Sequence, residues 1–196
     1  MGYTRAQVLN NIQYNKNLVA QYQREINDWN ARINSLWSEI RNLEAKISQL
    51  NGRISTYNSQ IAELNQLKAK YESLQNAFAQ RQAKRQAAFK KNFTQVFSVK
   101  FIKSYVSGMG TLLSGNEYRG AYNGLSDACK RIEAEIKDIR RNLNAVTAER
   151  DTAQHTINSK RNSISSYQSR INSRNGDLAY RRNRITYWQN MLRYAT

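Results

Sequence analysis

Isoleucine or valine stands at every seventh position of the chain from residue 12 to residue 61: Ile12, Val19, Ile26, Ile33, Ile40, Ile47, Ile54 and Ile61. Three places after all but the first come Tyr22, Trp29, Leu36, Leu43, Leu50, Tyr57 and Leu64. Alternating steps of three and four keep such residues on one side of an α-helix, whereas the two-residue period of a strand would scatter them over both faces. An a/d pattern held this long is the signature of a coiled coil, because a narrow apolar stripe is stable only against a second stripe.

The second half supplies that stripe. Ile136, Leu143, Arg150, Ile157, Ile164, Ile171, Leu178, Ile185 and Leu192 recur in sevens, with Cys129 one heptad earlier as a small core residue. A companion row runs Leu125, Ile132, Ile139, Val146, Ala153, Lys160, Tyr167, Arg174, Arg181 and Trp188. Arg150, Lys160, Arg174 and Arg181 therefore occupy core rows, where a charged residue either sets register and partner or lays its stem along the seam with its head in water. In the first half, strict phase after Leu64 would place Lys68 in the core. Leu67, Tyr71, Leu74 and Phe78 offer a stripe shifted by three, which predicts a stammer.

Proline, which breaks helix interiors, is absent from all 196 residues. The densest glycines, Gly108, Gly110, Gly115 and Gly120, fall between the two heptad arrays. The expected fold is all-α, a single antiparallel two-helix hairpin with helices over 4–107 and 117–194 and a glycine-rich turn at 108–116. Two similar octets support a register: ISTYNSQI begins at Ile54 and ISSYQSRI at Ile164, and their facing ends (54 with 171, 61 with 164) each add to 225. The midpoint, 112.5, lies inside the glycine turn. With that register residues 1 to 28 have no mate, so Ile12, Val19, Tyr22 and Ile26 are expected to bind a second protein or another copy of the chain. Gly52 and Gly176, each in an Asn-Gly pair, are sites where both helices could instead bend into a stubbier bundle.

Composition narrows the chemistry. One cysteine provides neither a disulfide framework nor a four-ligand zinc pattern, and the one histidine, His155, has a solvent-facing heptad position with no nucleophile beside it. No phosphate-binding Gly-Lys-Ser/Thr follows the glycines. The expectation is a non-enzymatic protein without metal or cofactor. No apolar run is long enough to span a bilayer, and the first residues lack the apolar core of a cleavable signal peptide. Lysine and arginine number 31 against 14 acidic residues, a net charge of +17 that calls for an acidic partner, nucleic acid or an anionic surface. Basic stretches with few acids run from Arg81 to Lys103 and from Lys160 to Arg193. Toward the tip an apolar cluster containing Phe97, Phe101 and Tyr105 is richer than a two-helix seam can bury. It predicts a small thickened core or a knob for a partner or membrane surface.

The segment LLSGNEYRGAYNGLSDACKRIEAEI, from Leu112 to Ile136, resembles the W-x-G segment that joins the two helices of small helical-hairpin substrates of bacterial type VII secretion. Leu113-Ser114-Gly115 stands at the W-x-G, and Tyr118 and Tyr122 at the aromatic positions that follow. The basic run into AAFKKNFTQVF resembles the longer coiled-coil partners of LXG toxins. The resemblance implies a targeting factor of a Gram-positive bacterium that binds the helical N-terminal domain of such a toxin. It would be made in the cytoplasm and leave for the envelope or medium without a cleavable signal peptide. Leu113, Gly115, Tyr118 and Tyr122 join the candidate partner-binding residues on this ground. The charge leaves two other expectations open: a basic coiled coil that binds nucleic acid, and a structural coiled coil of a larger assembly.

Overall fold

A computed structural model describes residues 3–94, 104, 105, 107–109, 111 and 115–195. Helix α1 spans Arg5–Thr94 and helix α2 spans Asn116–Met191; they pack antiparallel as a helical hairpin with no strand among the described residues. Helix α1 begins with a capping box. Thr4 Oγ1 accepts a hydrogen bond from the Gln7 amide at 3.3 Å, and Gln7 Oε1 accepts one from the Thr4 amide at 3.0 Å. Helix α2 ends by tightening, its last carbonyls on Asn190 and Met191 accepting from Arg193 and Tyr194 at 3.2 and 3.0 Å. Gly52 and Gly176 lie inside the helices, which run through both without a break.

The chain forms two compact units. The first joins Met1–Gln49 to Glu149–Thr196. Its centre is a cluster of Ile33, Ile40, Ile157 and Ile164, flanked by Leu36, Leu43, Ile47, Tyr167 and Ile171. A second cluster, Val8, Ile12 and Trp188, is flanked by Ile185, Met191 and Leu192. Across this unit Glu39 pairs with Lys160, Glu25 with Arg174 and Arg32 with Tyr167, and each pair of position numbers adds to 199.

That register overturns the one expected from the octets. The midpoint of the facing residues is near 99.5 rather than 112.5, and Tyr3 and Val8 meet Trp188 near the end of α2. Ile54 to Ile61 belongs to the second unit and Ile164 to Ile171 to the first, where Ile164 packs with Ile33 and Ile40. The physical reason lies at the N-terminal end. Pairing the octets would leave the stripe from Val8 to Ile26 in water, whereas the observed register lays Ile185, Trp188, Met191 and Leu192 over its start. Gly108, Met109 and Thr111 are themselves helical, with Thr111 Oγ1 donating to the Ser107 carbonyl at 3.0 Å, so the turn does not begin at Gly108. Between the two helices, the described residue at which the chain bends is Gly115.

The second unit, Leu50–Ala148, buries Leu50, Cys129, Ile136, Ile139 and Val146. Its register comes from Lys68 with Glu133 at 2.6 Å and from the Phe78 and Tyr118 rings, stacked 5.1 Å apart. The expected stammer does not occur. Lys68, Tyr71, Gln75, Phe78, Gln82 and Phe89 continue the original heptad phase and are half-buried, with Gln86 half-buried in place of exposed Arg85, while Leu67 and Leu74 are 41% and 58% exposed. Lys68 can keep a core position because Glu133 and Glu72 neutralise its head at the seam's edge.

Candidate partner-binding surfaces

Each charged residue on the core rows of α2 has a partner nearby. Lys160 donates to Glu39, and Arg174 sits 2.8 Å from Glu25 Oε2 and 2.9 Å from Asp177 Oδ2. The Arg174 guanidinium also lies 4.3 Å from the Tyr22 ring centre. Arg181 Nη1 donates to Asn15 Oδ1 at 3.4 Å, and Arg150 pairs with its neighbour Asp151 at 2.7 Å. Three of these four residues, Lys160, Arg174 and Arg181, meet the opposite helix, so those charges act on register and their stems still cover the seam. The hydrogen bond from Lys160 holds the Glu39 carboxyl below its ordinary 4.5. Hydrogen bonds to Glu133 and then Glu72 hold the Lys68 ammonium above its ordinary 10.5.

The N-terminal candidates are covered. Ile12 and Ile26 are buried, and Val19 and Tyr22 are half-buried with Tyr22 beneath Arg174. Helix α2 is their mate, so the unpaired stripe does not exist. Phe97, Phe101 and Leu113 lie outside the described residues. Tyr105 is helical and 52% exposed. Gly115 forms the bend directly before α2, and the first turns of α2 bring Tyr118 and Tyr122 together with ring centres 6.1 Å apart. Tyr118 also stacks on Phe78, so these two candidates belong partly to the packing of the second unit. Leu64, Leu67, Ile139, Gln60, Glu63 and Glu135 line a shallow groove in that unit.

Two features escaped the sequence. Asn15 is 3% exposed at a d position, its Nδ2 donating to the Asn11 carbonyl at 2.7 Å. The signal was the gap three places after Ile12, where the heptad array lacks an apolar residue. The other is a set of arginines stacked on rings at the end of the first unit. Arg181 lies 5.2 Å from the Tyr180 ring centre and 5.9 Å from that of Tyr14. Arg184 lies 5.0 Å from the centre of Tyr187 and 5.2 Å from that of Trp188. The sequence hint was the distribution of acids: none precedes Glu25 and none follows Asp177.

His155 is exposed, and among the described residues no three His, Cys, Asp or Glu side chains come together as a metal site. No described helix is long and apolar enough to cross a membrane. What the molecule presents is a helical surface with an excess of cationic and aromatic side chains. Such a surface can recognise carboxylates or phosphates and bury a partner's apolar side chains. Compared with family models, curated proteins and solved structures, the chain matches none.

Proposed function

We propose that the protein is a helical binding partner, without catalytic activity, that targets a secreted LXG-type toxin to a type VII system of a Gram-positive bacterium. The observation that carries this reading is the position of Gly115. It bends the chain immediately before α2, where the W-x-G segment of the resembled hairpins joins their helices, and Tyr118 and Tyr122 follow on the first turns. The charge of +17 adds the sign of the partner, which should be acidic. Export would then proceed with the toxin, by a route that needs no cleavable signal peptide. Co-expression with the N-terminal domain of an LXG-type toxin encoded beside it should yield a complex stable to gel filtration, and deletion should reduce export of that toxin. Absence of the complex together with unchanged export removes the proposal.

A second reading, nucleic-acid binding, rests on Arg81, Lys84 and Arg85, none of which has an ion pair among the described residues. It requires affinity that falls steeply with salt as counterions are released. A gel shift that is absent, or insensitive to salt, eliminates it.

A further inference from the structure

Helix α2 carries a second stripe beside the one that packs on α1. Tyr180, Arg184, Tyr187 and Met191 follow at steps of four, three and four, the same spacing that builds the hairpin seam. Tyr180 and Tyr187 are 56% and 43% exposed, and Tyr194, 80% exposed, stands just past the helix end in the same sequence rhythm. Met191 ties the stripe to the buried cluster of Val8, Ile12 and Trp188. In its middle, the Arg184 guanidinium carbon lies 5.0 Å from the ring centre of Tyr187 and 5.2 Å from that of Trp188, and Arg184 makes no ion pair with any described residue. A guanidinium held beside aromatic rings, with no carboxylate partner of its own, has N–H groups to offer a carboxylate fork.

We infer that this stripe is the docking face for an amphipathic acidic helix of another protein, which lays apolar side chains on Tyr180, Tyr187 and Met191 and sets a carboxylate against Arg184. The inference rests on the partner-binding function proposed above and names its site. The surroundings fix the sign. Residues 1–24 and 178–196 together carry seven basic and no acidic side chains. A second copy docking through this end would set arginine against arginine, a repulsive arrangement. A helical occupant is favoured over a nucleic-acid strand by the three-four spacing and by the thioether in the stripe, since a strand asks for stacked rings and a cationic track and has no use for a heptad.

The test uses the full chain and a synthetic amphipathic helix of about 28 residues with leucine at a and d and glutamate at e and g. A peptide with lysine in place of glutamate is the charge control. In fluorescence anisotropy the glutamate helix should bind and the lysine helix should not. Arg184→Glu and Tyr187→Ala should each weaken binding by at least about tenfold. Arg182→Gln, a charge loss off the stripe, should change it by less than about twofold. Circular dichroism of each variant verifies that the hairpin is intact. The inference is overturned if the glutamate helix does not bind, if Arg184→Glu and Tyr187→Ala bind undiminished, or if oligo-dT, phosphatidylglycerol vesicles or a second copy of the chain is preferred. Undiminished binding of a co-purified toxin domain by both variants would remove the site and leave the partner function standing. Peptide binding at the stripe without any co-purifying toxin domain would do the reverse.

Discussion

Trp188 shows how one side chain ties an end of the molecule together. Its ring is buried against Val8 and Ile12, meets Tyr3 edge-on at 5.0 Å, and supports Arg184 on its face. Its Nε1 is buried with no hydrogen-bond acceptor among the described residues. Trp188→Phe therefore loses little polar interaction and should cost no more than about 1.5 kcal/mol, whereas Trp188→Ala opens a cavity and should cost about 3–5 kcal/mol. Urea denaturation of both variants checks the contrast. Two charged groups on the seam also make stability depend on pH. Glu39 is held below its ordinary value, so its contribution is present at neutral pH and is lost as pH falls below about 4.5 and through the lowered value. Lys68 is held above its ordinary value, so its contribution is present below pH 10.5 and is lost as pH rises through the raised value. In thermal melts the Glu39 contribution should fade on the acid side and the Lys68 contribution on the alkaline side. Glu39→Gln should flatten the acid side, and Lys68→Met the alkaline side. Both heads are solvent-accessible, so the effects are small and shrink with added salt.

At the scale of the helix, the test concerns glycine. Gly52 and Gly176 sit mid-helix, neither has a positive φ, and a Cβ added at either would meet nothing within 4 Å. Substitution by alanine removes backbone entropy from the unfolded chain without a clash, so Gly52→Ala and Gly176→Ala should each stabilise the protein by about 0.5–1 kcal/mol. A loss of stability in either variant would mean that its helix bends there. The helices also show what heptad reading can and cannot resolve. Leu67 and Leu74 looked like the next core residues because leucine ordinarily outranks lysine for burial. In the structure the backbone phase persists, and Lys68, Gln75 and Gln82 stay on the seam. Shifting a helix's whole face costs more than tolerating three polar residues, one of which, Lys68, has two carboxylates to meet.

At the scale of the whole molecule, register is the quantity to test. In a Cys129→Ala background, Glu39→Cys with Lys160→Cys should cross-link through a short thiol reagent, because these positions face each other. Glu44→Cys with Arg181→Cys, whose numbers add to 225 as the octets do, should not cross-link; Arg181 faces Asn15 instead. The opposite pattern would restore the octet register and free the N-terminal stripe. With net charge +17, the hairpin should also gain stability as moderate salt screens its self-repulsion, even as the surface ion pairs weaken.

The sequence by itself determined the helices, their heptad phase as far as Leu64, the antiparallel hairpin and the cationic character, because each follows from local periodicity or from composition. It also marked Arg174 and Arg181 as misfits on a core row. Only the tertiary structure decided which turn of α1 faces which turn of α2. A heptad pattern repeats, so registers a few heptads apart bury similar seams, and the choice falls to a handful of pairings. Those are Asn15 with Arg181, Glu25 with Arg174 and Glu39 with Lys160, joined by Trp188 over Val8 and Ile12. That choice also covered the interface expected at the N-terminal end. Ile12, Val19, Tyr22 and Ile26 passed from candidate interface to the covered seam, and Tyr180 and Tyr187 were left exposed beside half-buried Arg184, a distinction no single helix could record.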